Sequence, residues 1–280
     1  MLRNRMMRGA GYSRAQSPLL LDIYSGAAAA YSLRKLRTAY AGACIRVRRS
    51  SDSAEQDIGF VSGVLDTATL LSFVGAGNGF VTTWYDQSGN ANNQNQATAN
   101  QQPVIVSSGV VVATSGKPGL SFNLHRMAGS AGIVASSGFT AIAVATLTAS
   151  VGSYRRLLSI ASDTRFFLGV DSSGNVASLY GNGSGWTAVT ANSATAWSGN
   201  KLVITCNNGT TDSQFVNGSA ITPRAATFTP YSTALEIGER SLTGSQEWIG
   251  VVQEVIVYGS NQSASRAAIE SNINSHYSIY

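Results

Sequence analysis

From residue 103 to residue 258 the chain is cut into short apolar runs by turn sequences at close, regular intervals, and no other feature restricts the fold as strongly. The runs fall at 104–106, 110–113, 120–122, 139–147, 157–161, 166–170, 176–180, 187–190, 202–206, 214–216, 234–237 and 248–258. Between them stand Ser172-Ser173-Gly174-Asn175, Asn182-Gly183, Asn207-Asn208-Gly209 and Asn217-Gly218. Such turn residues supply left-handed backbone or local side-chain bonds, so each one ends a strand. Asn217-Gly218, set between Phe215-Val216 and Ala220-Ile221, predicts a two-residue hairpin. Many short strands at this spacing imply an all-β antiparallel sandwich. The 280 residues, only 12% of them charged, suffice for one large core.

The first hundred residues read as more mixed. Ser25 as N-cap, four alanines at 27–30, Leu33, Leu36 and Tyr40 on one face, and Gly42 as terminator predict a helix over 25–40. Residues 43–49 alternate as a half-buried strand, and 80–85 form another. Asp66 caps a short helix over 67–74 that Gly75 closes. The almost wholly polar stretch 90–102 reads as a long surface loop. A last helix over 263–277, capped by Ser263, ends the chain. The expected organisation is a basic arm, 1–20, and one sandwich domain, 21–280.

Charge is uneven. Residues 1–50 carry ten Arg or Lys against one acid, Asp22, for a net +9, while the remaining 230 residues sum to −4. That asymmetry predicts an acidic partner or a neighbouring subunit for the leading segment, through Arg3, Arg5, Arg8 and Arg14. Nucleic acid is disfavoured, because no aromatic residues interleave with the arginines. The leading residues lack the 7–15-residue apolar core of a secretory signal, so synthesis in a cytoplasm is expected. No run of about 18 apolar residues exists to span a membrane. Cys44 and Cys206 each lie in apolar runs and read as reduced, buried residues, with a disulfide between them left open.

Two sets of motifs resemble known families. Gly116-Lys-Pro-Gly-Leu-Ser-Phe122, Phe166-Phe-Leu-Gly-Val-Asp-Ser-Ser-Gly-Asn-Val176 and Ala234-Leu-Glu-Ile-Gly-Glu-Arg240 with Trp248-Ile-Gly-Val-Val-Gln-Glu-Val-Ile-Val-Tyr258 resemble concanavalin/laminin-G-like jelly rolls. Leu21-Asp-Ile-Tyr24, Ala29-Ala-Tyr-Ser-Leu-Arg34, Val47-Arg-Arg-Ser-Ser-Asp52, Asp57-Ile-Gly59 and Trp84-Tyr-Asp-Gln-Ser-Gly89 resemble the start of the catalytic domain of α-L-arabinofuranosidase B, glycoside hydrolase family 54. The same block resembles segments of bacteriophage tail, fibre and decoration proteins.

The glycosidase resemblance implies two carboxyl groups, one as acid/base and one as nucleophile. The family places one in an Asp-Leu-Glu-Asn-Gly stretch. Here that stretch is Gly169-Val-Asp-Ser-Ser-Gly174, without the Glu, and Asp171 reads as a turn residue. The other follows a glycine, where Gly238-Glu239 stands, but Arg240 departs from the pattern. The family's adjacent Cys-Cys pair is missing. Glu239 and Asp171 are therefore the weak catalytic candidates, and Glu239 reads first as a solvated carboxylate beside Arg240.

The reading that results is a non-enzymatic bacteriophage virion protein, a capsid decoration, head fibre or tail component. Its arm would dock on other virion proteins and on copies of itself. Its sandwich would meet a host-surface glycan through Trp84, Tyr85, Asp86, Asn90 and Trp186, since a ring that stacks on a sugar beside amide and carboxylate groups makes a sugar site. An arabinofuranosidase-like hydrolase and a carbohydrate-binding module are the alternatives. No cofactor is expected; calcium at Asp86 or Asp171 is the one metal the sequence leaves open.

Overall fold

The computed structural model describes residues 18–129, 133–135, 138–148, 152–160, 166–181, 186–188, 195–227, 229, 231–238 and 246–280. The arm residues Arg3, Arg5, Arg8 and Arg14 lie outside them, as does Glu239 with Arg240. The fold is all-β, an antiparallel jelly-roll-like sandwich with a few short helices.

The front sheet is organised on one long strand, Gly250–Tyr258. Phe139–Thr146 pairs along one side of it, in register Thr140↔Tyr258, and pairs in turn with Asn200–Asn207. Ala27–Ser32 and Leu120–Phe122 share its other side. The sheet continues through Val104–Ser107 and Gly79–Trp84 to Ile45–Arg49 and Glu55–Ile58. The back sheet runs Gln94–Asn95, Met127–Gly129, Leu235–Ile237, Arg155–Ile160, Phe166–Val170, Val176–Gly181, Trp186–Ala188. The two sheets meet where Trp84 pairs with Gln94.

The central front strands are buried on both faces, which explains why their sequences are apolar without alternation. Ala141, Ala143, Ala145, Val255 and Val257 join the inter-sheet core with Leu158, Ile160, Phe166, Leu168 and Val170. Ile142, Val144, Ile204, Cys206 and Ile256 face the other way, beneath Ile269, Ile273 and Tyr277 of the last helix, Arg266–Tyr277. A fully buried Ile or Leu contributes about 1.5–3 kcal/mol, so both layers hold the sheet. Cys44 and Cys206 are free and buried.

The Asn217-Gly218 hairpin forms as expected, with both residues at positive φ, 48° and 81°. So does the helix Thr67–Val74, capped by Asp66 through the Thr69 amide at 3.0 Å. One expectation fails and another holds only in part. Residues 25–40 are not a helix: Ala27–Ser32 is a strand laid antiparallel along Gly250–Tyr258, in register Ala30↔Ile256. Alanine propensity is outweighed there, because an open backbone edge and two apolar layers await a thin strand, and Ala29 and Ala30 are fully buried.

The stretch 90–102 is a surface loop only in part, with 90, 91, 95 and 97–100 exposed. Asn92, Gln94, Gln96 and Gln102 are buried, and their amides serve backbone groups: Gln102 Nε2 donates to the Gln96 carbonyl at 3.0 Å, and Gln96 Nε2 to the Arg126 carbonyl at 3.0 Å. A polar sequence was burying itself through hydrogen bonds.

Candidate active site on the outer face of the back sheet

The motif Trp84-Tyr85-Asp86-Gln87-Ser88-Gly89 builds the frame and not a binding surface. Trp84 is fully buried, its ring 5.8 Å from that of Tyr31. Asp86 is buried and accepts from the Ala30, Ser88 and Asn92 amides at 2.8, 2.9 and 3.0 Å and from the Ser88 hydroxyl at 2.6 Å. Gln87, also buried, donates to the Ser32 and Arg34 carbonyls and accepts from the Leu36 amide. Tyr85 donates to Asp57 at 2.8 Å, and Asn90 Nδ2 is spent on the Ala27 and Ala28 carbonyls. The expected sugar site at Trp84, Tyr85, Asp86 and Asn90 is therefore not assembled: the ring and the carboxylate face inward, and the other two side chains are tied to the protein. Trp186 begins a short strand; its side chain lies outside the described residues.

Asp171 is the turn residue its sequence suggests, accepting from the Ser173 and Asn175 amides at 2.8 and 2.9 Å. With their oxygens committed to N–H and O–H donors, Asp86 and Asp171 offer a calcium ion little. Among the described residues no group of three or more His, Cys, Asp or Glu side chains is placed to hold a metal.

The acids that sequence reasoning passed over lie on the outer face of the back sheet. Leu235 and Ile237 point into the core, so Glu236 between them points out. Register partners share a face. Asn95, Ala128, Glu236, Ser159, Phe167 and Leu179 are successive partners and form one row across six strands. Asn95 is exposed and Glu236 half-buried; beyond them Ser159, Phe167 and Leu179 are buried. Phe167 packs edge-on against Tyr154, centroids 5.9 Å apart, and the Arg156 guanidinium lies 5.5 Å from its ring centre. Gly169, the partner of Arg156, leaves no room for a side chain: a Cβ would stand 1.9 Å from the Arg155 carbonyl oxygen.

A second acid follows in the same lane. Glu247, fully buried, forms an isolated parallel backbone β-bridge with Arg156, and its carbonyl accepts from Arg155 Nη1 at 3.0 Å. Its neighbour Trp248 enters the core against Trp197, centroids 4.7 Å apart. Arg156, beside Glu247, and Ser159, beside Glu236, lie on one strand with a β-bulge between them, and the bulge brings both onto one face. The alternation Leu235-Glu236-Ile237 was the signal available in the sequence.

Three buried carboxylates, Glu254, Asp212 and Glu270, pair with arginine, the last with Arg266. Glu254 takes Arg34 bidentately, Nε to Oε2 at 2.8 Å and Nη2 to Oε1 at 3.0 Å, and also accepts from Ser32 and Tyr277. Burial alone would raise its carboxyl; Arg34 outweighs burial and holds it below the ordinary glutamate value. Asp212 accepts from Arg224, Ser178 and Tyr180 at 2.8, 2.9 and 3.0 Å, and from Thr205. Burial in turn pushes the Tyr180 phenol far up.

This architecture is that of a concanavalin-type β-sandwich with acids on an outer sheet face. Residues 21–139, less than half of the chain, match the family described as "Alpha-L-arabinofuranosidase B, catalytic". Over 83 residues the chain is 42% identical to a probable α-L-arabinofuranosidase B of Aspergillus flavus, covering 27% of this chain and 16% of that protein. Two solved structures superpose on 91% of this chain and 64% of theirs: an arabinofuranosidase complexed with arabinofuranosyl-α-1,2-xylobiose, TM-score 0.68 at 15% identity, and a mutant GH54 α-L-arabinofuranosidase soaked with 4-nitrophenyl α-L-arabinofuranoside, TM-score 0.71 at 16% identity. At such identities the structures speak for the fold. The chain thus spans about a sixth of the curated relative and about two thirds of the solved ones. These matches overturn the expectation of a non-enzymatic phage decoration, fibre or tail protein located in a virion: they are to glycoside hydrolases, and nothing in them supports a virion role.

Proposed function

We propose that the chain is the catalytic β-sandwich of a glycoside hydrolase that cleaves α-L-arabinofuranosides, with Glu236 and Glu247 as its working acids. The observation that carries the reading is the match of residues 21–139 to an arabinofuranosidase catalytic family, on a chain whose fold follows those enzymes over 91% of its length. The acid row adds support. One carboxyl would protonate the glycosidic oxygen as the bond to the anomeric carbon breaks. The other would attack that carbon or activate water against it, according to their separation.

The test is release of 4-nitrophenol from 4-nitrophenyl α-L-arabinofuranoside by the full chain, repeated with Glu236→Gln, Glu247→Gln and Glu239→Gln. Turnover that falls about 10²–10⁴-fold in the first two variants is expected. Absence of turnover by the unaltered chain overturns the activity. A loss confined to Glu239→Gln keeps the activity and overturns the placement of the acids.

A further inference from the structure

A pocket of about 250 Å³ opens beside the end of the last helix, with no residue of the acid row in its lining. Leu33, Val64 and Leu65 form its apolar wall; Lys117, His276 and Tyr277 bring its polar groups. Its frame is rigid. Buried Gln253 clamps the hairpin that carries Lys117, donating to the Thr114 and Lys117 carbonyls at 3.2 and 2.9 Å. The Tyr277 hydroxyl is held by Glu254 at 3.2 Å.

The charge inside is one-sided. No carboxylate lines the pocket. Glu254, which holds the Tyr277 hydroxyl, is fully buried and neutralised by Arg34, and Asp66, between the lining Leu65 and Thr67, caps the helix Thr67–Val74 by accepting from Thr69. Lys117 has no ion-pair partner among the described residues. Burial first, then Arg34 and Lys117, push the His276 imidazole down to about 4 against the pull of Glu254. At neutral pH the ring is therefore uncharged and carries one N–H. An ammonium and a ring donor above an aliphatic wall match an anion with an apolar body.

We propose that this pocket binds a small organic carboxylate, its carboxylate on the Lys117 ammonium and the His276 ring N–H, its compact apolar part against Leu33 and Leu65. The site is independent of the acid row and of arabinofuranoside turnover. Benzoate and its neutral isostere benzamide are the probes, titrated calorimetrically into the full chain at neutral pH. Benzoate binds at millimolar concentration or below, and benzamide at least tenfold more weakly. Lys117→Met lowers benzoate affinity about tenfold, the ordinary worth of one charge-assisted hydrogen bond. Val64→Trp, at a residue 42% exposed, fills the mouth and abolishes binding with the melting temperature unchanged. No binding of benzoate overturns the proposal, as does equal binding of the two probes or an unaltered affinity in Lys117→Met.

Discussion

The loop around Asp86 and the row around Glu236 both present acids beside aromatic residues, yet they do opposite work. Asp86 is enclosed, and three backbone amides and a hydroxyl converge on it. Glu236 stands half-buried on an outer face, between a solvent-exposed Asn95 end and a buried Phe167 end. The Asp86 loop lies inside the segment that matches the arabinofuranosidase family, and the Glu236 row falls mostly beyond it. A motif can thus be recognisable because it ties a fold together, while the chemistry sits on strands whose sequence is freer. The family match speaks directly for the frame, and the acids have to be tested on their own.

The sharpest way to break this contrast is to remove the frame acid. Asp86→Ala orphans several buried donors at about 1–3 kcal/mol each, so chemical denaturation should show a loss of at least about 4 kcal/mol. A loss near zero would put Asp86 in the same class as Glu236. Next comes Glu254→Gln, which leaves Arg34 buried without its counter-charge and should cost about 3–4 kcal/mol. Because the folded Glu254 carboxyl lies below its unfolded value, its contribution is complete above about pH 4.5 and is lost as pH falls through the lower folded value. The acid limb of the stability profile should therefore flatten in the variant.

His276→Gln should act more gently and in a different window. The folded imidazole sits at about 4 against 6.5 when free, so the unfolded chain binds the proton first and stability falls as pH drops from about 6.5 to 4. After allowance for its partial exposure, the variant should recover on the order of 1 kcal/mol of that fall, measured by thermal melts across the range. The smallest effect is predicted for Glu236→Gln, a change within about 0.5 kcal/mol, as for other substitutions on outer faces.

The sandwich was legible because turn chemistry and apolar runs agree over most of the chain. Ala27–Ser32 was not, since four alanines favour a helix until a long partner strand and a second apolar layer claim them. Gln94, Gln96 and Gln102 were not, since a polar side chain looks solvent-seeking until its backbone partners are known. Trp84 and Asp86 resembled a sugar site by residue type alone, and burial separates the two readings. Glu236 was legible in principle from Leu235 and Ile237, but only register across the sheet connects it to Asn95, Ser159 and Phe167. The contacts of Arg3, Arg5, Arg8 and Arg14, and the surroundings of Glu239, belong to residues that the structure does not describe.

The most direct measurement pairs the rate of 4-nitrophenol release with the melting temperature in the unaltered chain and in Glu236→Gln. A hydrolase with its acid on the outer row gives turnover that drops at least a hundredfold in the variant, with melting unchanged. Equal rates in both proteins, or none in either, would contradict it.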